Sequence, residues 1–246
     1  ESRPLFLGDC IKRLARLPLL HNPGERFTYG RSTDVLGYLV EVISGMSLDQ
    51  FFEQRLFEPL GMHDTYFYLT EDKHSRLVQA YTEDSDRKSV KWPDNAFGRF
   101  KIYYPLVQGT YFAGGAGLSS TITDYGIFLQ MLLNGGEYRG ERFLAPRTIE
   151  LMTTNQIGKL SLGQNKFGLG FELTTDAEQE VLGVTEGSFA WGGIFGTTYW
   201  VDPKERLVCQ LFIQQRPHSH SEIQNKFKAL VYQAIEVQGK ENFTCN

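Results

Sequence analysis

Apolar residues recur at helical spacing through the first half of this chain and at strand spacing through the second. From Asp34, the positions Val35, Leu36, Leu39, Val40 and Ile43 fall three and four apart. They predict a helix that Ser44-Gly45 stops. A second helix is predicted from Ser47, with Gln50 three residues later as the partner in a capping box. Its apolar stripe is Leu48, Phe51, Phe52 and Leu56, and Pro59 is expected to end it. Ser119-Ser120-Thr121 precedes a third helix, with Ile122, Tyr125, Phe128, Leu129, Leu132 and Leu133 on one side and Asn134-Gly135-Gly136 as its close. Shorter helices are expected around 11–20, before the Pro23-Gly24 turn, and around 146–152. Residues 71–102 are charged and poorly periodic, and read as a long surface loop.

The pattern then changes. Residues 167–173, 184–191, 197–201 and 207–214 are short runs rich in Val, Ile, Phe, Tyr and Trp. Asp202-Pro203-Lys204-Glu205 joins the last two as the turn of an antiparallel hairpin. A final helix over 222–237 places Ile223, Phe227, Leu230, Val231, Ala234 and Ile235 on one face. Helices first and a strand meander afterwards predict an α+β fold, not alternating βαβ units. The expected division is a mainly helical lobe with long loops over 1–160, and an antiparallel β-sheet lobe with a C-terminal helix over 161–246.

Composition narrows the function classes. The chain has 246 residues, 41% hydrophobic and 22% charged, with a net charge of −4, which is an ordinary globular balance. It carries no basic footprint for nucleic acid. No apolar run approaches the roughly 18 residues of a membrane span, and the first residues have neither a basic leader nor an apolar signal core. Compartment is left open. Cys10, Cys209 and Cys245 are too scattered for a disulfide framework or a CxxC metal site, and Cys209 reads as a small buried hydrophobe. The five histidines show no metal-ligand spacing. His218 and His220 read as a solvated turn, and Asn242-Phe243-Thr244 fits the glycosylation sequon.

Three segments, in order, resemble one family. The first runs from Arg26-Phe27-Thr28-Tyr29-Gly30-Arg31 through Asp34, Ser44-Gly45 and Phe57-Glu58-Pro59-Leu60-Gly61-Met62. The second is Gly114-Gly115-Ala116-Gly117-Leu118-Ser119-Ser120-Thr121 with Asp124-Tyr125, and the third is Trp191-Gly192-Gly193-Ile194-Phe195-Gly196-Thr197 with Trp200-Val201-Asp202-Pro203. Together they resemble the serine β-lactamase-like superfamily of class C β-lactamases, D,D-peptidases and family VIII carboxylesterases. That resemblance implies a β-lactamase/transpeptidase-like fold with its site in the cleft between helical and sheet lobes. It also implies a catalytic set of S-x-x-K, a tyrosine motif, and a K-T-G strand that becomes W-G-G in the esterase branch. Carried over, Tyr29 matches the motif tyrosine. Trp191-Gly192-Gly193 matches the third motif, and the N–H of Ile194 falls where an oxyanion donor is expected.

The chemistry accounts for these residue types. A serine hydroxyl is a weak nucleophile until a neighbour takes its proton, and a tyrosine beside a cation can do so because the cation favours phenolate. Fixed N–H donors at a strand edge stabilise the developing oxyanion, and glycines leave that edge open to substrate. Arg31 stands where a strict β-lactamase has Asn. Trp191 replaces the lysine that meets a substrate carboxylate. Both point to a neutral ester or amide, and the resemblance implies no metal or organic cofactor.

No S-x-x-K precedes Tyr29. The resemblance therefore implies that the nucleophile segment is absent from this chain, an N-terminally incomplete form that is inactive alone. Ser85-Asp86-Arg87-Lys88 has the S-x-x-K spacing but lies in a charged loop, and Lys166-Phe167-Gly168 mimics K-T-G in the same superficial way. No G-x-S-x-G is present, so an α/β-hydrolase elbow is not supported. Rival readings are a non-catalytic binding module, one chain of a split enzyme completed by an N-terminal segment, and an acyltransferase. Apolar surface left exposed on the central strands by a missing segment would favour a homo-oligomer, strand exchange or aggregation. Tyr29 and Trp191 have packing readings too, Asp34 reads as a helix N-cap, and the 114–117 glycines read as close backbone packing.

Overall fold

A computed structural model describes residues 5–92, 104–177, 179, 183–217 and 222–235. Cys245, His218, His220 and the sequon at 242–244 lie outside them. Helix α1 (Leu7–Leu14) starts and stops earlier than its apolar pattern predicts, and helix α2 (Ser32–Ser44) follows the Tyr29 segment. Gly45 closes α2 in the left-handed conformation, φ 70°, with its N–H on the Glu41 carbonyl at 2.9 Å.

The next helix corrects two expectations. Helix α3 (Leu48–Phe52) continues through a π turn (Glu53–Phe57) into α4 (Glu58–Leu60), so Pro59 lies inside the helical run instead of ending it. Proline lacks an N–H and crowds the carbonyl four residues back. The wider π turn, closed by the Glu58 N–H on the Glu53 carbonyl, relieves that crowding, and the Met62 N–H bonds to the Phe57 carbonyl at 2.8 Å where α4 ends. The Ser47–Gln50 capping box is not formed, because the Ser47 side chain makes no capping bond. A carboxylate oxygen of Glu41 accepts the Leu48 N–H at 3.1 Å in its place, so α2 satisfies an orphan donor of α3.

The expected loop over 71–102 contains order as far as it is described. A 3₁₀ turn (Glu71–Arg76) leads to strand β1 (Tyr81–Glu83), which pairs antiparallel with β2 (Ser89–Lys91). The Asp84 carboxylate accepts the N–H groups of Asp86 and Lys88, both at 2.9 Å, and so nucleates the turn. A polar hairpin this short has no apolar alternation to betray it.

Helix α5 (Ile122–Leu133) begins as predicted, with the Thr121 hydroxyl accepting the Asp124 N–H at 3.1 Å. A small hairpin of β3 (Glu137–Tyr138) and β4 (Glu141–Arg142) and helix α6 (Pro146–Met152) follow. The sheet then forms in strict order from β5 (Lys166–Phe167), β6 (Glu172–Leu173), β7 (Phe189–Gly192), β8 (Thr198–Asp202) and β9 (Leu207–Leu211), antiparallel throughout. The run over 167–173 is thus two strands and a turn, not one strand. Its break falls at Gly168, where a Cβ would come within 2.0 Å of the Met152 carbonyl oxygen.

Leu129 and Leu132 of α5 pack with Leu173, Phe189, Tyr199 and Val201 to build the main core. Helix α7 (Glu222–Gln233) sets Phe227 and Tyr232 against Trp200 of β8. Asp202 is fully buried and accepts the N–H groups of Lys204 and Glu205 at 2.9 Å and the Tyr232 hydroxyl at 2.7 Å. The Trp200 indole N–H donates to the Tyr232 oxygen at 3.2 Å. The α+β architecture matches the expectation. Helix α2 does not bury its apolar stripe, however, since Val35, Leu36, Leu39 and Ile43 are all exposed, as is Val42 beside them.

Candidate active site

Residues 26–29 have no regular secondary structure and lead through a bend at 30–31 into α2. Phe27 and Tyr29 both meet aromatic rings of the sheet. Phe27 meets Phe167 with ring centroids 5.1 Å apart, Phe167 meets Trp191 at 5.5 Å, and Trp191 meets Tyr29 at 5.8 Å with the rings tilted by 33°. These four rings dock the segment before α2 onto the edge of β7. Tyr29 stays 69% exposed, and its hydroxyl bonds to no side chain or backbone group among the described residues.

Strand β7 ends at Gly192, paired with Thr198. The Gly193 N–H donates to the Thr197 carbonyl at 2.7 Å and the Gly196 N–H to the Gly193 carbonyl at 3.0 Å, which turns the chain into β8. Ile194, at the crest of this turn, is exposed, and its N–H has no backbone partner among the described residues. A Cβ on Gly192 would lie 3.0 Å from the Thr197 oxygen. The tight turn therefore needs a glycine there as much as an open edge does.

Tyr29, Leu162, Glu172, Trp191, Gly192 and Ile194 line a mostly apolar cleft of about 430 Å³. The structure thus brings together all five residues expected at the site, with Gly193 in the turn just behind the lining. Phe27, Phe167, Leu162 and Glu172 were not anticipated. Only the alternation of Phe27 with Tyr29 carried a sequence signal for any of them.

Asp34 is not a helix N-cap. It lies inside the first turn of α2, 3% exposed, and accepts the Gly115 N–H at 3.3 Å and an Arg31 guanidinium N–H at 3.4 Å. A Cβ on Gly114 would come within 2.1 Å of the Thr33 carbonyl oxygen, and one on Gly37 within 2.9 Å of the Gly114 Cα. The glycine loop is therefore a close backbone crossing that fixes the start of α2, and with it Tyr29. Tyr111 lies near this crossing. Burial, and then the charge of Asp34, raise its pKa above the usual phenol value.

Ser85 sits in the exposed turn between β1 and β2, where Arg87 has a φ of 61°. Ser85 and Lys88 therefore do not share a helix face, which is what an S-x-x-K pair requires. The Lys166 ammonium donates to the carbonyls of Gly158 and Leu160 at 3.1 and 2.7 Å, so it anchors a loop. Among the described residues no group of three or more His, Cys, Asp or Glu could hold a metal, and no single helix is long and apolar enough to cross a membrane.

The α+β frame is that of the serine β-lactamase, penicillin-binding-protein and esterase superfamily. The Beta-lactamase family profile matches residues 2–233, and the chain belongs to that family. It is 33% identical over 224 residues to Protein Rv1367c of Mycobacterium tuberculosis, covering 84% of this chain and 53% of that one. The chain spans about half the length of the curated relatives it matches. Among solved structures, simvastatin synthase LovD from Aspergillus terreus superposes with a TM-score of 0.77 at 25% identity, over 95% of this chain and 62% of that one. EstCE1, described as a hydrolase with promiscuous acyltransferase activity, superposes with a TM-score of 0.79 at 24% identity, over 94% and 63%.

Proposed function

We propose that this chain carries the tyrosine and the oxyanion edge of a serine acyl-transfer site acting on a neutral ester or amide. The observation that carries this reading is the placement of Tyr29 and Trp191 across 5.8 Å beside the unpartnered N–H of Ile194. In the complete site, a serine Oγ attacks the carbonyl carbon while the Tyr29 oxygen, held as phenolate by the lysine of the supplied S-x-x-K segment, takes its proton. The Ile194 N–H then donates to the oxygen that gains charge. Expulsion of the alcohol or amine, with that proton returned to it, leaves an acyl-serine that water cleaves to the acid. No lysine or arginine lines the cleft, so a substrate carboxylate has no ion-pair partner among the lining residues.

The proposal assigns the nucleophile to none of these 246 residues. Ser85 belongs to the only S-x-x-K among them, and its exposed hairpin turn has no helix to present it. The serine comes to Tyr29 from another polypeptide segment. Acyl transfer to an alcohol or amine is the second reading. It is favoured by the apolar lining of the cleft and by the likeness to LovD, a synthase.

A fluorophosphonate probe tests the assignment. The chain alone is expected to take up no label, and addition of a separately made segment bearing S-x-x-K is expected to restore labelling on that segment. Stoichiometric labelling of the chain alone would overturn it. Product analysis with a competing alcohol separates hydrolysis from transfer.

A further inference from the structure

The turn from Gly192 to Gly196 presents the Ile194 N–H, and Gly192, Gly193 and Gly196 make glycine the commonest residue in it. Glycine gives the backbone its greatest conformational freedom, and Gly196 sits at a φ of 90°. An oxyanion donor is worth most when it is aimed before the charge develops, with no reorganisation left to do. A turn this rich in glycine keeps such an aim only if groups outside it hold it. The Gln215 N–H, beyond the end of β9, donates to the Phe195 carbonyl at 3.0 Å. The Phe195 ring meets the buried Trp92, which follows β2, edge-on with centroids 5.7 Å apart. The Gln224 side-chain amide, in the first turn of α7, donates to the Gly196 carbonyl at 2.9 Å.

Gln224 holds the backbone of the turn through a side chain, so its hold can be removed without moving a strand. The carbonyl it grips belongs to Gly196, whose own N–H closes the turn on the Gly193 carbonyl at 3.0 Å. The Gly193 carbonyl and the Ile194 N–H are opposite sides of one planar peptide group. With the carbonyl turned in toward Gly196, the N–H is turned out toward the cleft mouth. Fixing Gly196 therefore fixes that plane, and with it the direction of the donor. We propose that Gln224 is a positioning residue for the oxyanion donor, reaching from α7 to lock the Gly196 end of the turn. It acts through the backbone and not on substrate. The C-terminal helix thus serves the site as well as the core, where Phe227 and Tyr232 pack on Trp200.

The kinetic consequence rests on the acyl-transfer reading, but the positioning itself is tested without turnover. Backbone ¹⁵N relaxation in the full 246-residue chain is expected to give Ile194 and Phe195 order parameters of about 0.85. Gln224→Leu should lower both to below about 0.6, with β8, β9 and α7 unchanged. Gln224→Glu keeps the side chain's shape, loses the N–H donor, and should do the same. In the enzyme reconstituted with an S-x-x-K segment, either change should lower kcat about ten-fold or more and leave KM within about two-fold, because the donor acts on charge that develops in the transition state. A parent turn already mobile, variants whose Ile194 stays as ordered as the parent's, loosening confined to α7, or a raised KM at unchanged kcat would each overturn the proposal. If the reconstituted parent shows no activity, the acyl-transfer reading fails, and relaxation alone then decides the role of Gln224.

Discussion

Tyr29 and Trp191 stand 162 residues apart in the chain, yet their ring centroids lie 5.8 Å apart at the edge of β7. The contact joins the segment before α2 to the sheet, and it sets a phenol beside the free N–H of Ile194. Neither ring does this alone. Phe27 and Phe167 extend the contact on the side away from the cleft, so the tyrosine's position depends on a row of four rings.

Removing the indole should release that row. Trp191→Leu keeps an apolar side chain on β7 but loses two ring contacts, each worth about 0.5–1.5 kcal/mol beyond buried area. A drop of about 1–3 kcal/mol in unfolding free energy is expected. Heteronuclear NMR should show the resonances of 26–30 broadened or shifted, while those of β8 and β9 stay in place.

The crossing of α2 over the glycine loop should be less forgiving. Gly114→Ala would push a methyl into the Thr33 carbonyl, where no flexible side chain can yield, and is expected to cost about 3 kcal/mol or more. Asp34→Ala removes the acceptor for the Gly115 N–H in a buried place, with an expected cost of about 1–3 kcal/mol. Urea unfolding followed by circular dichroism measures both. A Gly114→Ala protein as stable as the parent would remove close packing as the reason for glycine there.

The chain should be sensitive to base. Burial pushes the Cys209 thiol up to about 11 and, more than any other cause, the Tyr232 hydroxyl up to about 12. Tyr104 and Tyr199 shift in the same direction for the same reason. Each group binds its proton more tightly when folded than when unfolded. Stability from these groups is therefore fully present below about pH 9 and is lost as pH rises through about 9 to 12. The urea midpoint should be flat on the near side of that window and fall within it. Tyr232→Phe should soften the fall while lowering the midpoint at neutral pH, since Asp202 then loses a hydrogen bond.

Helix α2 presents Val35, Leu36, Leu39, Val42 and Ile43 to solvent. A contiguous apolar face of this kind favours association, and light scattering of the chain alone should show mass rising with concentration. The double change Leu39→Glu with Ile43→Glu should bring the mass toward 28.1 kDa. A monomer at every concentration would contradict the expectation.

Ser85→Ala should change neither probe labelling nor any hydrolysis recovered on adding an S-x-x-K segment. Loss of either on that substitution would transfer the nucleophile to the β1–β2 turn.

The sequence by itself determined the class of fold and pointed to candidate site residues through their resemblance to the family's motifs. Helical and strand periods are local, so the order of α5, the β7–β8–β9 meander and α7 could be read from apolar spacing, and the Asp202 turn from its own four residues. Tyr29 and Trp191-Gly192-Gly193-Ile194 could be read because each sits in a short motif with a chemical rationale. Tertiary structure decided what depends on contacts distant in sequence. Asp34 looks like a cap until Gly115 is brought against it. Pro59 looks like a stop until the π turn accommodates it. The stripe on α2 looks like core until packing leaves it bare. Glu172 and Phe167 belong to no motif, and only the pairing of β5 with β6 beside β7 sets them next to Trp191. Spacing along one segment is encoded where it is used, whereas burial and neighbourhood belong to the folded chain as a whole.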